Sequence, residues 1–198
     1  ALGAVFAPTS DNETEIMHRW EDTINTVCDA CATMSRQKVG ALMIFERSTP
    51  LGDVIATGTI VDAQPSYELI NNLFFKNSPL HDGAVILRNG RVYAAGCVLP
   101  LSANFTISRE LGTRHRAALG MSENSDAISL VVSEENGKIS LAENGVLKRD
   151  LSIDELRSEL RNGLILQQKA EPRRLNFRLI RKDAAQLRKE ANAPDENH

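Results

Sequence analysis

No strictly apolar run in these 198 residues is longer than Ala41 to Phe45. A helix that crosses a bilayer needs roughly 18 to 20 such residues, so no segment reads as membrane-spanning. Cysteine is scarce and odd in number, three residues, which gives no disulfide framework and makes a reducing cytoplasmic setting the expectation. The chain opens on Ala1 without a basic stretch followed by an apolar core, so no intact secretory signal is present. A processed or trimmed chain is expected, with any anchor lost at the missing end. Neither the G-x-x-x-x-G-K-S/T of a P-loop nor the G-x-G-x-x-G of a dinucleotide site occurs, and no nucleophile elbow supports Ser/His/Asp hydrolysis. Internal repeats and low-complexity blocks are absent as well. What is present is ordinary. Hydrophobic residues at 42% and charged residues at 25%, with a net charge of −3, describe one globular domain with attachments and exclude a disordered or collagen-like chain.

Ile16, Trp20, Ile24, Val27, Cys31 and Met34 recur every three or four residues, which predicts a long amphipathic helix from Asn12 to about Gln37. Cys28 and Cys31 spell C-x-x-C, but Cys97 and four histidines supply no further ligands at zinc spacing, so burial on the helix face is the expectation over metal or redox use. Val39 to Phe45 has strand length, and after a Pro50-Leu51-Gly52 turn Val54 to Val61 reads as a second strand. Ser66 is placed to cap a short helix that buries Tyr67, Ile70, Leu73 and Phe74. Ala84 to Leu87 and Val92 to Leu99 are expected to pair through Asn89-Gly90, and Ala127 to Val132 with Lys138 to Leu141 through Asn136-Gly137, both as tight hairpins. Arg114 to Met121 reads as a helix starting at Thr113. Ser152 and Glu155 have capping-box spacing for a last helix to about Asn162. Helices alternating with hairpins predict an α/β fold, a mixed central sheet flanked by helices.

From residue 157 to 190 ten basic residues face four acidic ones, a solvated tail or, alternatively, a docking surface for an acidic partner or membrane. Asn192 to His198 reads as disordered.

Three clusters place charged residues and a glycine where a loop meets an apolar element, the usual place for function. In Pro79-Leu80-His81-Asp82-Gly83-Ala84, Asp82 and His81 offer a carboxylate and an imidazole for a metal or a proton, and Gly83 admits a ligand to the backbone. A plain turn explains the same residues. Gly112-Thr113-Arg114-His115-Arg116 offers helix N–H groups, a hydroxyl and guanidinium groups, the set that suits a triphosphate, or simply a surface helix start. In a regular helix Arg114 and Arg116 lie about 200° apart and do not face one ligand; in an extended segment they share a side and His115 faces away. Ser133-Glu134-Glu135-Asn136-Gly137 puts two carboxylates at a hairpin tip, either solvated or completing a metal site with the first cluster.

The order and wording of these segments resemble the diadenylate cyclase family, most closely its membrane-anchored type. The resemblance runs from Lys38 to Asp150 through Val39-Gly40-Ala41-Leu42-Met43-Ile44, the D-G-A of Asp82-Gly83-Ala84, Leu99-Pro100-Leu101, the R-H-R of Arg114-His115-Arg116, and Ser133-Glu134-Glu135. It implies condensation of two ATP molecules to cyclic di-AMP with release of two pyrophosphates, in a homodimer whose domains meet face to face. Asp82 would then orient or deprotonate the 3′-hydroxyl, with Gly83, Arg114, His115 and Arg116 completing the catalytic set. Asp82, Gly83, Leu99, Gly112, Thr113, Arg114, Arg116, Ser133 and Glu134 would bind ATP: Thr113, Arg114, His115 and Arg116 with Ser133 would hold the triphosphate, Gly83 and Gly112 would admit it closely through the backbone, and Leu99 would contact the adenine. His81 and Glu135 would hold Mn²⁺ or Mg²⁺, with Co²⁺ a further candidate.

The same resemblance divides the chain into a linker and helix (1–37), a cyclase domain (38–162) and a basic extension (163–198). That extension is too short for the DNA-binding module of some relatives, so nucleic acid is not expected as a partner. A regulatory protein partner is compatible with it. The helix before Val39 looks like the segment that follows membrane helices, which implies a cytoplasmic catalytic domain tethered to the cell membrane through a segment absent from this chain. Two competitors stand beside the cyclase: a catalytically inactive ATP-binding regulatory module of the same fold, and a metal-assisted ATP or phosphoester hydrolase.

Overall fold

The spacing of Trp20, Ile24, Val27, Cys28, Cys31 and Met34 lays one apolar face along α1 (Ser10–Gln37), and all six side chains are buried. The computed structural model describes residues 10–103 and 111–167. Lys38 stops α1 in a left-handed conformation, φ 53°, and the Val39 N–H returns to the Met34 carbonyl at 2.9 Å. Burial pushes the Cys28 thiol up to about 11 and raises Cys31 as well, so both are apolar filling, as their helical spacing predicts.

β1 (Ala41–Phe45) is buried on both faces and lies at the centre of a seven-stranded mixed sheet. The other strands are β2 (Thr59–Ala63), β3 (Ala84–Arg88), β4 (Arg91–Cys97), β5 (Ile128–Val132), β6 (Ile139–Glu143) and β7 (Val146–Arg149), in the spatial order β2-β4-β3-β1-β5-β6-β7. β1 runs parallel to β3 and every other pairing is antiparallel. Alternation along β1 divides the core in two. Ala41, Met43 and Phe45 face α1, α3 (Tyr67–Leu73), α5 (Ile153–Arg161) and the π-helical turn Asn162–Leu166, where Trp20 meets Phe45 at 6.1 Å between ring centroids. Leu42 and Ile44 face α2 (Gly52–Ile55) and α4 (Thr113–Asn124). A one-residue slip of β1 would exchange the two faces, so its register is fixed by both layers.

Several expectations change. Val54 to Ile55 is helix rather than strand, because the Ile55 N–H bonds the Leu51 carbonyl at 2.9 Å and this turn drops Leu51 and Ile55 into the core; the strand begins only at Thr59. Tyr67 is 41% exposed and donates its hydroxyl to Thr33 Oγ1, whereas Ile70, Leu73 and Phe74 are buried as expected. The Ser66 cap and the Ser152/Glu155 capping box both form. Asn89-Gly90 makes a tight turn with φ of 51° and 72°. Asn136-Gly137 does not, since the β5–β6 link spans 133–138 and closes by a Gly137 N–H to Ser133 carbonyl bond. A third hairpin, Asn144-Gly145 with φ of 50° and 73°, joins β6 to β7 and adds a strand beyond those expected. Most of the basic stretch and Asn192 to His198 lie outside the described residues.

Candidate active site

Pairing register decides what meets at one end of this sheet. Met43 pairs with Val85, Ala41 with Val132, Ala84 with Cys97, Val132 with Ile139 and Ser140 with Arg149. The starts of β1, β3 and β6 therefore share an edge with the ends of β4, β5 and β7. Onto that edge α4 brings its N-terminus. A cleft of about 990 Å³ opens there, at the upper end of the roughly 300 to 1,000 Å³ usual for ligand pockets. It is lined by Asp82, Gly83, Leu99, Gly112, Thr113, Arg114, His115, Ser133, Glu134 and Glu135 among the expected residues.

The Asp82-Gly83 corner is held by β4. Between the Ala84–Cys97 and Ile86–Ala94 pairs β4 carries one extra residue, a bulge with Gly96 at φ 68°. Gly83 has φ 97°, and a Cβ there would lie 2.8 Å from the Cys97 carbonyl oxygen, so backbone packs directly on backbone and aims Asp82 into the cleft. His81 is not among the lining residues; its Nδ1 is 2.6 Å from the Ser78 carbonyl oxygen, which only accepts, so Nδ1 is the donor.

α4 is regular from Thr113, so the helical alternative holds for the two arginines. Arg114 lines the cleft and Arg116 does not. Arg114 Nη1 is 3.1 Å from Glu134 Oε2 on the β5–β6 link. Glu134 is 63% exposed, and an ion pair so wet contributes little to stability; its consequence is where it holds the guanidinium.

His115, one residue on, is buried, with Nε2 3.4 Å from Ser140 Oγ. Burial pushes its imidazole below the ordinary histidine pKa, the Arg149 charge pushes the same way, and Glu135 offsets part of this. His115 is therefore neutral at pH 7. Because its folded pKa lies below the unfolded value of about 6.5, the stability it contributes is complete above that pH and is lost as pH falls through the folded pKa. Chemical denaturation of wild type and His115→Gln between pH 7.5 and 5 should show wild type losing more stability on acidification. A difference between the two that does not change with pH would remove His115 as the cause.

Sequence reasoning missed Val98, Leu101, Lys138, Ser140, Arg149 and Asp150, all in the cleft lining. Val98 and Leu101 sit beside Leu99 and leave large apolar side chains exposed, 67% and 46%, a surface that suits a flat aromatic ligand. Lys138 reaches Asp150 at 2.6 Å. No spacing in the sequence announces this pair, because it depends on the β6–β7 hairpin.

A metal fits only in part. No group of three His, Cys, Asp or Glu side chains among the described residues stands close enough to cage an ion. Asp82 and Glu135 do give the cleft hard oxygen donors, which suits a cation that completes its shell with phosphate oxygens and water.

The chain is similar to several known proteins. The family model described as DAC, DisA bacterial checkpoint controller nucleotide-binding, matches residues 28–147. The protein named cyclic di-AMP synthase CdaA of Bacillus subtilis is 46% identical over 151 residues, covering 76% of this chain and 55% of that protein. A diadenylate cyclase of Listeria monocytogenes is 48% identical over 132 residues, 67% of this chain and 48% of its own. The chain thus spans about half the length of these curated relatives. The crystal structure of a DacA double mutant from Staphylococcus aureus superposes with a TM-score of 0.72 at 44% identity, over 73% of this chain and 97% of that one. The crystal structure of a protein described as a hypothetical membrane spanning protein from Bacillus cereus gives a TM-score of 0.62 at 43% identity, over 65% and 63%. With the family model covering more than half its length and a mixed sheet whose edge gathers the D-G-A corner, the start of α4 and the Ser133-Glu134-Glu135 tip, this chain belongs to the DAC family of nucleotide-binding domains.

Proposed function

We propose that this chain is the catalytic domain of a diadenylate cyclase, condensing two ATP molecules into cyclic di-AMP and two pyrophosphates. The observation that carries the reading is the convergence of Asp82-Gly83, Thr113-Arg114-His115 and Ser133-Glu134-Glu135 on one cleft of nucleotide size. Exposed apolar side chains of Val98 and Leu101, with Leu99, take the adenine, and the α4 N-terminus with the Thr113 hydroxyl and Arg114 takes the triphosphate. Asp82 accepts a hydrogen bond from the 3′-hydroxyl and orients it. A carboxylate is a weak base for an alcohol, so positioning supplies much of its effect.

Asp82 and Glu135 are the residues to hold a divalent cation such as Mn²⁺ or Mg²⁺, which would complete its shell with phosphate oxygens and water and would supply charge neutralisation on the phosphates; His81, outside the cleft lining, is not part of this set. One cleft takes one ATP, whereas the product needs two nucleotides attacking each other's α-phosphorus in line. A second copy must face the first. The Bacillus cereus neighbour is described as membrane spanning, which supports a membrane tether here too. It would come from a segment outside this chain, since no helix among the described residues is long and apolar enough to cross a bilayer.

The test is incubation with ATP and Mn²⁺ at several protein concentrations, with products identified by mass spectrometry. Cyclic di-AMP is expected, at a rate rising faster than linearly with protein. ADP or AMP as the product would move the assignment to a hydrolase, and ATP binding without turnover would move it to a regulatory module.

A further inference from the structure

Gly40 lies between the end of α1 and the start of β1, and its φ is not in the left-handed region, so no turn there requires a glycine. Space does. A Cβ built on Gly40 would stand 2.6 Å from Arg114 Nη1, 2.8 Å from Arg114 Cζ and 3.1 Å from Glu134 Cβ. Real side chains do not approach so closely, so the guanidinium lies on the bare backbone of residue 40, with the Glu134 carboxylate 3.1 Å from Nη1. Arg114 is anchored on α4, Glu134 on the β5–β6 link and Gly40 at the head of the central strand. Three separate elements fix one guanidinium.

We infer that Gly40 is a positioning residue: its missing side chain is the seat that, with Glu134, presents the Arg114 guanidinium to the polyphosphate of a bound nucleotide. This rests on the reading of the cleft as a nucleotide site. A guanidinium recognises phosphate through donors in a fixed plane, so an arginine seated before the ligand arrives loses less freedom on binding than one that must be ordered by it. The two atoms nearer than 3 Å are the far end of a flexible side chain, and the third, Glu134 Cβ on the β5–β6 link, need give by only a few tenths of an ångström. A methyl group at residue 40 therefore displaces Arg114 at little expense to the fold, and its effect falls on binding.

Affinity for a non-hydrolysable ATP analogue and thermal midpoint should be measured for wild type, Gly40→Ala, Arg114→Ala and the double variant. Gly40→Ala is expected to weaken binding about tenfold to a hundredfold, the range for losing a charged hydrogen bond, with its thermal midpoint close to that of wild type. Arg114→Ala should weaken it comparably, and the double variant should be no weaker than Arg114→Ala alone, because the group that Gly40 seats is gone. Wild-type affinity in Gly40→Ala, or losses that multiply in the double variant, would overturn the inference while leaving the nucleotide reading intact. A collapse of the thermal midpoint in Gly40→Ala that persists in the double variant would also overturn it, since the backbone and not Arg114 would then be what residue 40 protects. Failure of the wild type to bind the analogue would instead overturn the nucleotide reading and this inference together.

Discussion

Asp82→Asn is expected to keep nucleotide affinity within a few-fold of wild type and to lower turnover by about 10² to 10⁴, the range for removing a group that handles a proton in the transition state. The substitution is nearly isosteric, and Asp82 closes no ion pair among the described residues, so folding should not change. What disappears is a negative charge that can both accept the 3′-hydroxyl proton and hold a cation. The amide can still accept a hydrogen bond through its oxygen, so some orientation survives, but it cannot take the proton or compensate the charge that develops. Single-turnover kinetics beside an equilibrium binding measurement separates the two effects. A variant that turns over within tenfold of wild type would remove Asp82 from the proton's path and leave the cleft a positioning site alone.

The parts of the proposed site that are legible in the sequence are those written locally. An Asp-Gly corner, a Gly-Thr-Arg helix start and a Ser-Glu-Glu tip each occupy a few neighbouring residues, and the apolar run of Val39 to Phe45 is enough to expect a strand, though not its place at the centre of the sheet. What stays hidden depends on long-range register. Arg149 and Asp150 enter the cleft only because β7 pairs with β6, Ser140 opposite Arg149, and the Asn144-Gly145 turn that sets this pairing leads into Val146 to Arg149, a segment whose strand character is weak. Val54 and Ile55 mislead for a related reason, since β-branched residues favour strands on average and a buried four-residue helix overrides that preference when it delivers Ile55 to the core. Arg114 and Arg116 separate only once α4 is seen to be helical from Thr113, which sends one to the cleft and the other away from it. Gly40 is visible as part of the resemblance, but its reason is a contact with a residue seventy-four positions away.

Gly83→Ala should act on fold and site together, and comparison with Gly40 shows why two glycines at the same cleft differ. At Gly40 the two atoms nearer than 3 Å belong to the tip of an arginine, with Glu134 Cβ at 3.1 Å behind them; at Gly83 all three are backbone, the Cys97 carbonyl oxygen at 2.8 Å, the Gly96 carbonyl carbon at 2.8 Å and the Cys97 nitrogen at 3.1 Å. Backbone of a paired strand cannot swing aside. Gly83 also has φ 97°, beyond the left-handed well that other residues tolerate, and holding alanine there costs about 1 to 3 kcal/mol before any collision is counted. The variant is expected to lose roughly 2 to 4 kcal/mol and to melt about 4 to 16 °C lower, in line with a domain of this size. Relief requires the 79–83 loop to lift from the Gly96 bulge, and Asp82 then leaves the position from which it faces the cleft. Turnover should consequently stay as low as in Asp82→Asn even at temperatures where Gly83→Ala is fully folded, whereas Gly112→Ala, whose new methyl meets nothing within 4 Å among the described residues, should lose only the small preference of a helix N-cap for glycine over alanine and melt much closer to wild type. If cooling restored the activity of Gly83→Ala, the glycine would serve stability alone, and the aim of Asp82 would have to come from another part of the loop.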